Sequence, residues 1–174
     1  MSMWPRLTRD FSRLKEIKGW GAAHTLVDAL LLDNGFQALI AYRMASTFRR
    51  WGVPFVPALC RRLSIAFCGI DILPQAEIGG GCYIPHGVGL VVGGATVIGD
   101  DCTLLQGVTL GEARFDETSC PRVGDRVTLG AGAKILGGIT VGDDSFIGAG
   151  AVVLEDVPPQ HIAIGVPARI KPVS

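Results

Sequence analysis

A six-residue period of large aliphatic side chains runs through the chain from Asp71 onward and restricts the fold more than any other feature. The aliphatic residues are Ile72, Ile78, Ile84, Val92, Ile98, Leu104, Leu110, Val123, Leu129, Ile135, Val141, Ile147 and Val153. Glycine directly follows eight of these thirteen residues, as suits tight turns. A small residue often stands four positions after the aliphatic one, at Ala76, Cys82, Thr96, Cys102, Ala133, Ser145 and Ala151. Such a period is typical of a very short strand plus a turn, three of which close a triangular coil of about eighteen residues.

Thirteen units of this length predict about four coils of a parallel β-helix, stacked at roughly 4.8 Å per coil. An ordinary sheet does not produce aliphatic residues in this register with glycines directly after them. The predicted fold class is therefore mainly β, a parallel β-helix preceded by a small α-helical region. Residues 111–122 interrupt the period and predict a protruding loop, and long loops on a rigid scaffold often carry function.

The composition changes sharply near Gly69, because all three tryptophans and most other aromatic residues precede it. We therefore divide the chain into an α-helical region at 1–70, a β-helix domain at 71–157 and a C-terminal tail at 158–174.

Apolar residues recur at three and four positions over residues 24–49, which indicates helices, and Asn34-Gly35 predicts a break between two of them. Further helices are predicted over 6–18 and Val56–Phe67. The helix at 6–18 is basic and amphipathic. It either packs its apolar face on a neighbouring element, the commoner case, or docks on a membrane.

Charge and cysteine content exclude several classes of partner and location. Sixteen basic and sixteen acidic residues give a formal net charge of zero, so no global field attracts nucleic acid. Five cysteines without C-x-x-C pairing, and a start without the apolar core of a signal peptide, predict a cytoplasmic protein. Charged residues interrupt the apolar stretches near 22–48 and 53–70, so no membrane span is predicted.

His86 is the candidate for chemistry among three histidines and lies in IPHGVGLVVG, where the repeat shifts by two residues. Asp71 stands fifteen residues earlier, about one coil away and near the same corner. A histidine oriented by a carboxylate suits a general base acting on a hydroxyl, whereas a lone histidine in a turn is usually a surface residue. No metal is expected, because a zinc site of three histidines would need His24 and His161 beside His86, and these lie in the helical region and the tail.

Six segments of the chain resemble the serine acetyltransferases and related hexapeptide acyltransferases, in order and with the family's spacing. They are GFQALIAYRMA (35–45), GIDILPQAEIGGG (69–81), HGVGLVVGGATVIGDDCTLLQGVTLG (86–111), LGAGAKILGGITVG (129–142), IGAGAVVLEDVPP (147–159) and GVPARI (165–170). The resemblance covers most of residues 35–170. It implies a left-handed winding of the β-helix and transfer of acetyl from acetyl-coenzyme A to a hydroxyl acceptor.

The resemblance also implies the site residues and the assembly. The residue matching His86 is the base in that family, and the one matching Asp71 forms a dyad with it. The segments that line the coenzyme groove between neighbouring subunits match Leu110-Gly111, Ala131-Gly132, Ala149-Gly150 and the turn from Pro167 to Arg169. A homotrimer, or a dimer of trimers, is therefore expected.

Three positions depart from the family pattern where those enzymes hold the charges of serine. Pro85 stands in place of an aspartate before the histidine, and Ser119-Cys120 stands in place of an arginine-histidine pair. No acidic residue lies between Glu16 and Asp28. Because each buried charge needs a compensating group, we expect weak turnover of serine and keep a sugar or polysaccharide hydroxyl as the competing acceptor. Pro85 and Cys120 are the candidate substrate contacts.

Two other hypotheses for the function of the chain stay open at this point. The β-helix could be a non-catalytic trimeric scaffold or binding module, against which the His86 and Asp71 pair argues. The helical residues 1–34 could instead bind another protein, in which case the chain would show no turnover.

Overall fold

Four α-helices precede the strands in the computed structural model, which describes residues 3–114 and 118–173. They are α1 (Met3–Lys18), α2 (Ala22–Leu31), α3 (Asn34–Arg50) and α4 (Val56–Cys68). Pro57 lies in the first turn of α4, where its missing N–H costs nothing, and Gly69 ends the helix in the left-handed conformation with φ 68°. The helices predicted over 6–18 and Val56–Phe67 are confirmed to within a few residues.

The break between α2 and α3 lies earlier than the sequence predicts. Asp33 caps α3, and its side chain accepts a hydrogen bond from the Phe36 amide at 2.9 Å. Gly35 is buried inside α3, where a β-carbon would overlap the Ile84 carbonyl. The predicted break between two helices is confirmed, but its position at Asn34-Gly35 was wrong: the break lies at 32–33, and Gly35 permits close packing rather than ending a helix.

Fourteen short strands follow within the described residues. They are β1 (Asp71–Ile72), β2 (Glu77–Ile78), β3 (Val91–Val92), β4 (Val97–Ile98), β5 (Thr103–Leu104), β6 (Thr109–Gly111), β7 (Arg122–Val123), β8 (Thr128–Leu129), β9 (Lys134–Leu136), β10 (Thr140–Val141), β11 (Phe146–Ile147), β12 (Val152–Val153), β13 (His161–Ile164) and β14 (Arg169–Pro172). Each pairs in parallel with a strand of the next coil, except that β13 and β14 are antiparallel.

The strands form three sheets that the chain visits in turn. The strand orders are β1-β3-β6-β9-β12, β10-β7-β4-β2 and β14-β13-β11-β8-β5. Parallel bridges between Tyr83 and Thr103 and between Val141 and Val157 extend two of the sheets by one residue each. The chain therefore winds as a three-sided coil of parallel strands, as the six-residue period predicts.

The interior of the coil holds the residues that the repeat places inward. All thirteen aliphatic residues are at most 3% exposed, and the seven small residues four positions later are also buried. Cys82 and Cys102 are among these small residues and lie in the core, where each thiol packs as a small apolar group. Within the described residues, Thr96 Oγ1 is the one buried side-chain oxygen without a hydrogen-bond partner.

Helix α1 binds the coil through its basic residues. Arg13 donates to the carbonyls of Gly81 and Cys102 and to Thr103 Oγ1, at 2.5 to 2.8 Å. Arg9 pairs with Asp100 and Asp101 at 2.6 and 2.7 Å. The apolar face of α1 packs at the same time against α2 and α3. The structure thus supports packing rather than membrane docking for this helix, and none of the described helices has the length and apolarity to cross a membrane.

Candidate active site

The His86 turn, residues 83–87, lies at a corner between two sheets of the coil. Tyr83 bridges to Thr103 on one side, and β3 continues into the next sheet on the other. Gly87 is buried, and it lies so close to Ile70 that a β-carbon at this position would overlap the Ile70 side chain. The turn is therefore pressed against the residue before Asp71. His86 itself is exposed, so an external ligand can reach it.

Asp71 lies at the start of β1, in register with Val91. Its carboxylate accepts hydrogen bonds from Arg61 of α4, from Nε at 2.6 Å and from Nη2 at 2.7 Å. This hydrogen bonding raises the pKa of the Arg61 guanidinium, with burial acting in the opposite direction. Among the described contacts, none joins Asp71 to His86. The dyad thus stays a prediction, whereas the Arg61 contact is a finding that the sequence analysis missed.

Four glycines stack along the edge that contains the His86 turn, and we call them the glycine edge. They are Gly89, Gly107, Gly132 and Gly150, with φ between 67° and 78°. The amide of Gly107 donates to Val88 O at 3.0 Å, that of Gly132 to Gln106 O at 2.7 Å and that of Gly150 to Ala131 O at 2.8 Å. At roughly 4.8 Å per coil, the edge is about 14 Å long, and its four corner residues carry no side chain.

The structure therefore brings together several residues that the sequence analysis assigned to the coenzyme groove. Ala131-Gly132 and Ala149-Gly150 lie on successive coils of the glycine edge, above the His86 turn. A β-carbon at Gly150 would meet no atom within 4 Å, so this corner opens to solvent. Lys134 Nζ donates to Gly107 O at 2.7 Å and to Thr109 Oγ1 at 2.9 Å, and so braces the edge.

The remaining candidate groove residues lie in β6, the middle strand of its sheet, and beside β12, the last strand of the same sheet. Leu110 is fully buried in β6, so only its backbone could contact a ligand. Gly111 ends the same strand, and a β-carbon there would meet open space. Pro167 and Arg169 lie beside β12, because the Ala168 amide between them donates to Val152 O at 2.8 Å. Both residues are exposed.

The two candidate substrate residues differ in exposure. Pro85 is half-buried in the His86 turn. Cys120 is buried, at 8% exposure, and its Sγ lies against Gly93. The prediction that Cys120 contacts substrate stays a prediction, and packing alone explains its position. Residues 115–117 of the predicted loop lie outside the described residues.

Acidic residues near the His86 turn are already paired. Lys18 Nζ lies 2.6 Å from Asp28 Oδ2 and 3.4 Å from Asp33 Oδ2, and these three charges act on the Tyr83 side chain. Burial raises the pKa of Tyr83, and Asp33 raises it further. Over residues 3–114 and 118–173 the chain has no group of three side chains that could hold a metal ion.

Comparison with known proteins gives matches over most of the chain. The family model of bacterial transferase hexapeptide (six repeats) matches residues 120–155. A serine acetyltransferase of Helicobacter pylori strain J99 is 45% identical over 149 residues, which cover 85% of this chain and 87% of that protein.

Solved structures are similar as well. A serine acetyltransferase in complex with cysteine has a TM-score of 0.89 at 34% identity, covering 97% of this chain and 70% of the other. A serine acetyltransferase of Brucella abortus strain S19 in complex with coenzyme A has a TM-score of 0.87 at 35% identity, covering 95% and 66% of the two chains.

Proposed function

The chain belongs to the serine acetyltransferase family, and from this we propose that it transfers acetyl from acetyl-coenzyme A to the hydroxyl of L-serine. The observation that carries the proposal is the position of the His86 turn at one end of the glycine edge. A base at the end of an open, backbone-lined groove is the arrangement that acyl transfer from a long, amide-rich coenzyme needs.

His86 acts as the general base. Its ring takes the proton of the acceptor hydroxyl while that oxygen attacks the thioester carbonyl carbon. The tetrahedral intermediate then collapses, the carbon–sulfur bond breaks, and the protonated ring returns its proton to the departing coenzyme A sulfur. Asp71 orients the ring by accepting its second N–H.

The glycine edge holds the coenzyme. A pantetheine arm carries amide donors and acceptors, which the exposed backbone of Ala131-Gly132 and Ala149-Gly150 can pair. Leu110-Gly111 and the turn from Pro167 to Arg169 complete the groove, and the Arg169 guanidinium suits the phosphates.

Architecture and assembly follow the same proposal. The three-sided coil is a left-handed β-helix over 71–157, with a helical region at 1–70 and a tail at 158–174. The groove lies between subunits of a homotrimer, which the helices could join into a dimer of trimers. Cytoplasmic location is supported by five cysteines that are all free thiols.

A sugar hydroxyl is the second candidate acceptor, and the charges around the His86 turn favour it. Serine brings an ammonium and a carboxylate, and the two acids that act on Tyr83 of the His86 turn, Asp28 and Asp33, are both paired with Lys18. Pro85 and Ser119-Cys120 add no charge. A neutral acceptor would need none of these groups.

Release of the coenzyme A thiol tests the proposal and separates the two acceptors. Acetyl-coenzyme A is offered with L-serine, with D-serine as a matched control, and with a panel of monosaccharides and oligosaccharides. We expect release that depends on L-serine. Release with sugars alone would assign the neutral acceptor, and no release with any acceptor would favour the scaffold.

A further inference from the structure

We propose that Arg61 is a positioning residue for acetyl transfer, which fixes the Asp71 carboxylate behind His86 and offsets its charge. The inference rests on the proposed function, because it takes His86 as the base and Asp71 as its partner. It extends that pair to α4, a helix that sequence analysis did not connect with the site.

The contact between Arg61 and Asp71 has two points. Both carboxylate oxygens accept from the guanidinium, at 2.6 and 2.7 Å. An ionised carboxylate offers about four lone pairs, so a bidentate arginine leaves one on each oxygen for another donor. The planar fork also fixes the orientation of the carboxylate, which the point charge of a lysine does not. Asp71 can therefore hold Arg61 and accept from the His86 ring together.

Packing also places the His86 turn against the residues that directly precede Asp71. Gly87 lies against the Ile70 side chain, and the Gly89 amide donates to Gly69 O at 2.8 Å. These contacts flank His86 on its C-terminal side and Asp71 on its N-terminal side. Both residues are thus held at one corner by backbone and core contacts.

Contacts other than the Arg61 pair also hold α4 in place. Ser64 Oγ donates to Ile70 O at 2.9 Å inside the junction between α4 and β1, and Cys68 is buried there. The Arg61 and Asp71 side chains are 39% and 25% exposed, and partly exposed ion pairs add little to stability. A contribution to the stability of the fold therefore does not explain why Arg61 and Asp71 form a bidentate pair beside His86.

The elements around Asp71 carry few other charges. On α4, Arg62 is exposed and Cys60 has a pKa raised by burial, while β3 beside β1 is uncharged. On the far side of the His86 turn, Lys18, Asp28 and Asp33 form their own group. In the described part of the chain, Arg61 is the one cation bonded to Asp71. Removing it leaves an uncompensated carboxylate behind the ring, which favours the protonated ring.

The test compares Arg61→Gln and Arg61→Lys with two matched controls in the full-length enzyme. Arg62→Gln removes the neighbouring guanidinium, which has no described partner. Arg126→Gln removes a bidentate pair of the same kind, with Asp144 at 2.7 and 2.8 Å on an exposed face. For Arg61→Gln we expect kcat to fall about 10- to 100-fold, as is usual when a partner that orients a functional side chain is lost. The acid limb of the kcat/KM profile should move to higher pH. Arg61→Lys keeps the charge, so its acid limb should stay in place while kcat falls. Both controls should match the wild type.

A second readout does not depend on turnover. In protein labelled with ¹³C-histidine, the His86 ring signal is followed against pH, with His24 and His161 as internal references. Its midpoint should rise in Arg61→Gln alone. An unchanged midpoint and acid limb, with or without a lower melting temperature, would overturn the proposal and leave a structural pair. A wild type without transferase activity would refute the proposed function, while the midpoint would still test the Arg61 contact.

Discussion

Arg43 of α3 donates to both oxygens of the Asp10 carboxylate of α1, at 3.1 and 3.2 Å, in a contact where both side chains are at most 3% exposed. Arg43 also donates to Ile78 O at 2.6 Å, and Asp10 accepts from the Cys82 amide at 2.9 Å. One buried pair therefore ties two helices to the first coil.

Arg43→Met should destabilise the fold by about 3–5 kcal/mol, because it leaves the Asp10 carboxylate buried without its partner. Arg9→Gln is the matched control, since it removes exposed pairs with Asp100 and Asp101 and should cost about 1 kcal/mol or less. Urea unfolding measures both. Equal costs would contradict a specific role for the buried pair.

Thr96→Val should stabilise the protein by about 1 kcal/mol, because the Thr96 hydroxyl is buried and unpaired within the described structure. Thr103→Val is the control. Its hydroxyl accepts from Arg13 at 2.8 Å, so its loss should destabilise. A lower unfolding midpoint for Thr96→Val would show that the hydroxyl has a partner in solution.

Gly150→Ala should raise the KM for acetyl-coenzyme A, because its β-carbon would project from the glycine edge into open space. Gly52→Ala is closely matched, with φ 70° and no atom near its β-carbon, but it lies between α3 and α4. Both should lose about 1 kcal/mol of stability through backbone strain. If both variants kept the wild-type KM, the glycine edge would not be the coenzyme groove.

Cys82 and Cys102 should resist thiol reagents in the native protein. Burial raises the pKa of the Cys102 thiol to about 11 and that of Cys82 further still, so neither forms the reactive thiolate near neutral pH. Cys60 is half-buried and should react first. Mass mapping of alkylated peptides measures this order. Rapid native labelling of Cys120 would contradict its burial and restore it as a substrate contact.

The repeat could be read from the sequence because each coil depends on local rules. A large residue, a glycine and a small residue in every six fix the strand, the turn and the inward face, and every strand from β1 to β12 lies where the period places it. The start of α3 was harder to predict, because it depends on capping by the Asp33 side chain and on packing of Gly35 against the distant Ile84 carbonyl.

The candidate site was only partly predictable for a related reason. Motif spacing is enough to propose His86 and Asp71, but Arg61, which bonds to Asp71, lies on a helix that is set by the geometry of the α4 junction. A signal was present, since Arg61 precedes Asp71 by ten residues across a Gly69 cap. The Asp10 and Arg43 pair spans 33 residues, and no local pattern indicates it.

The rate of coenzyme A release that depends on L-serine shows whether His86 is the base for acetyl transfer from acetyl-coenzyme A to L-serine. The rate is compared between the wild type and His86→Ala, with circular dichroism to verify the fold of the variant. We expect release in the wild type that saturates only at high serine, and a rate about 10²- to 10⁴-fold lower in the variant. Equal rates in a folded His86→Ala protein would exclude His86 as the base. No serine-dependent release in the wild type would exclude L-serine as the acceptor.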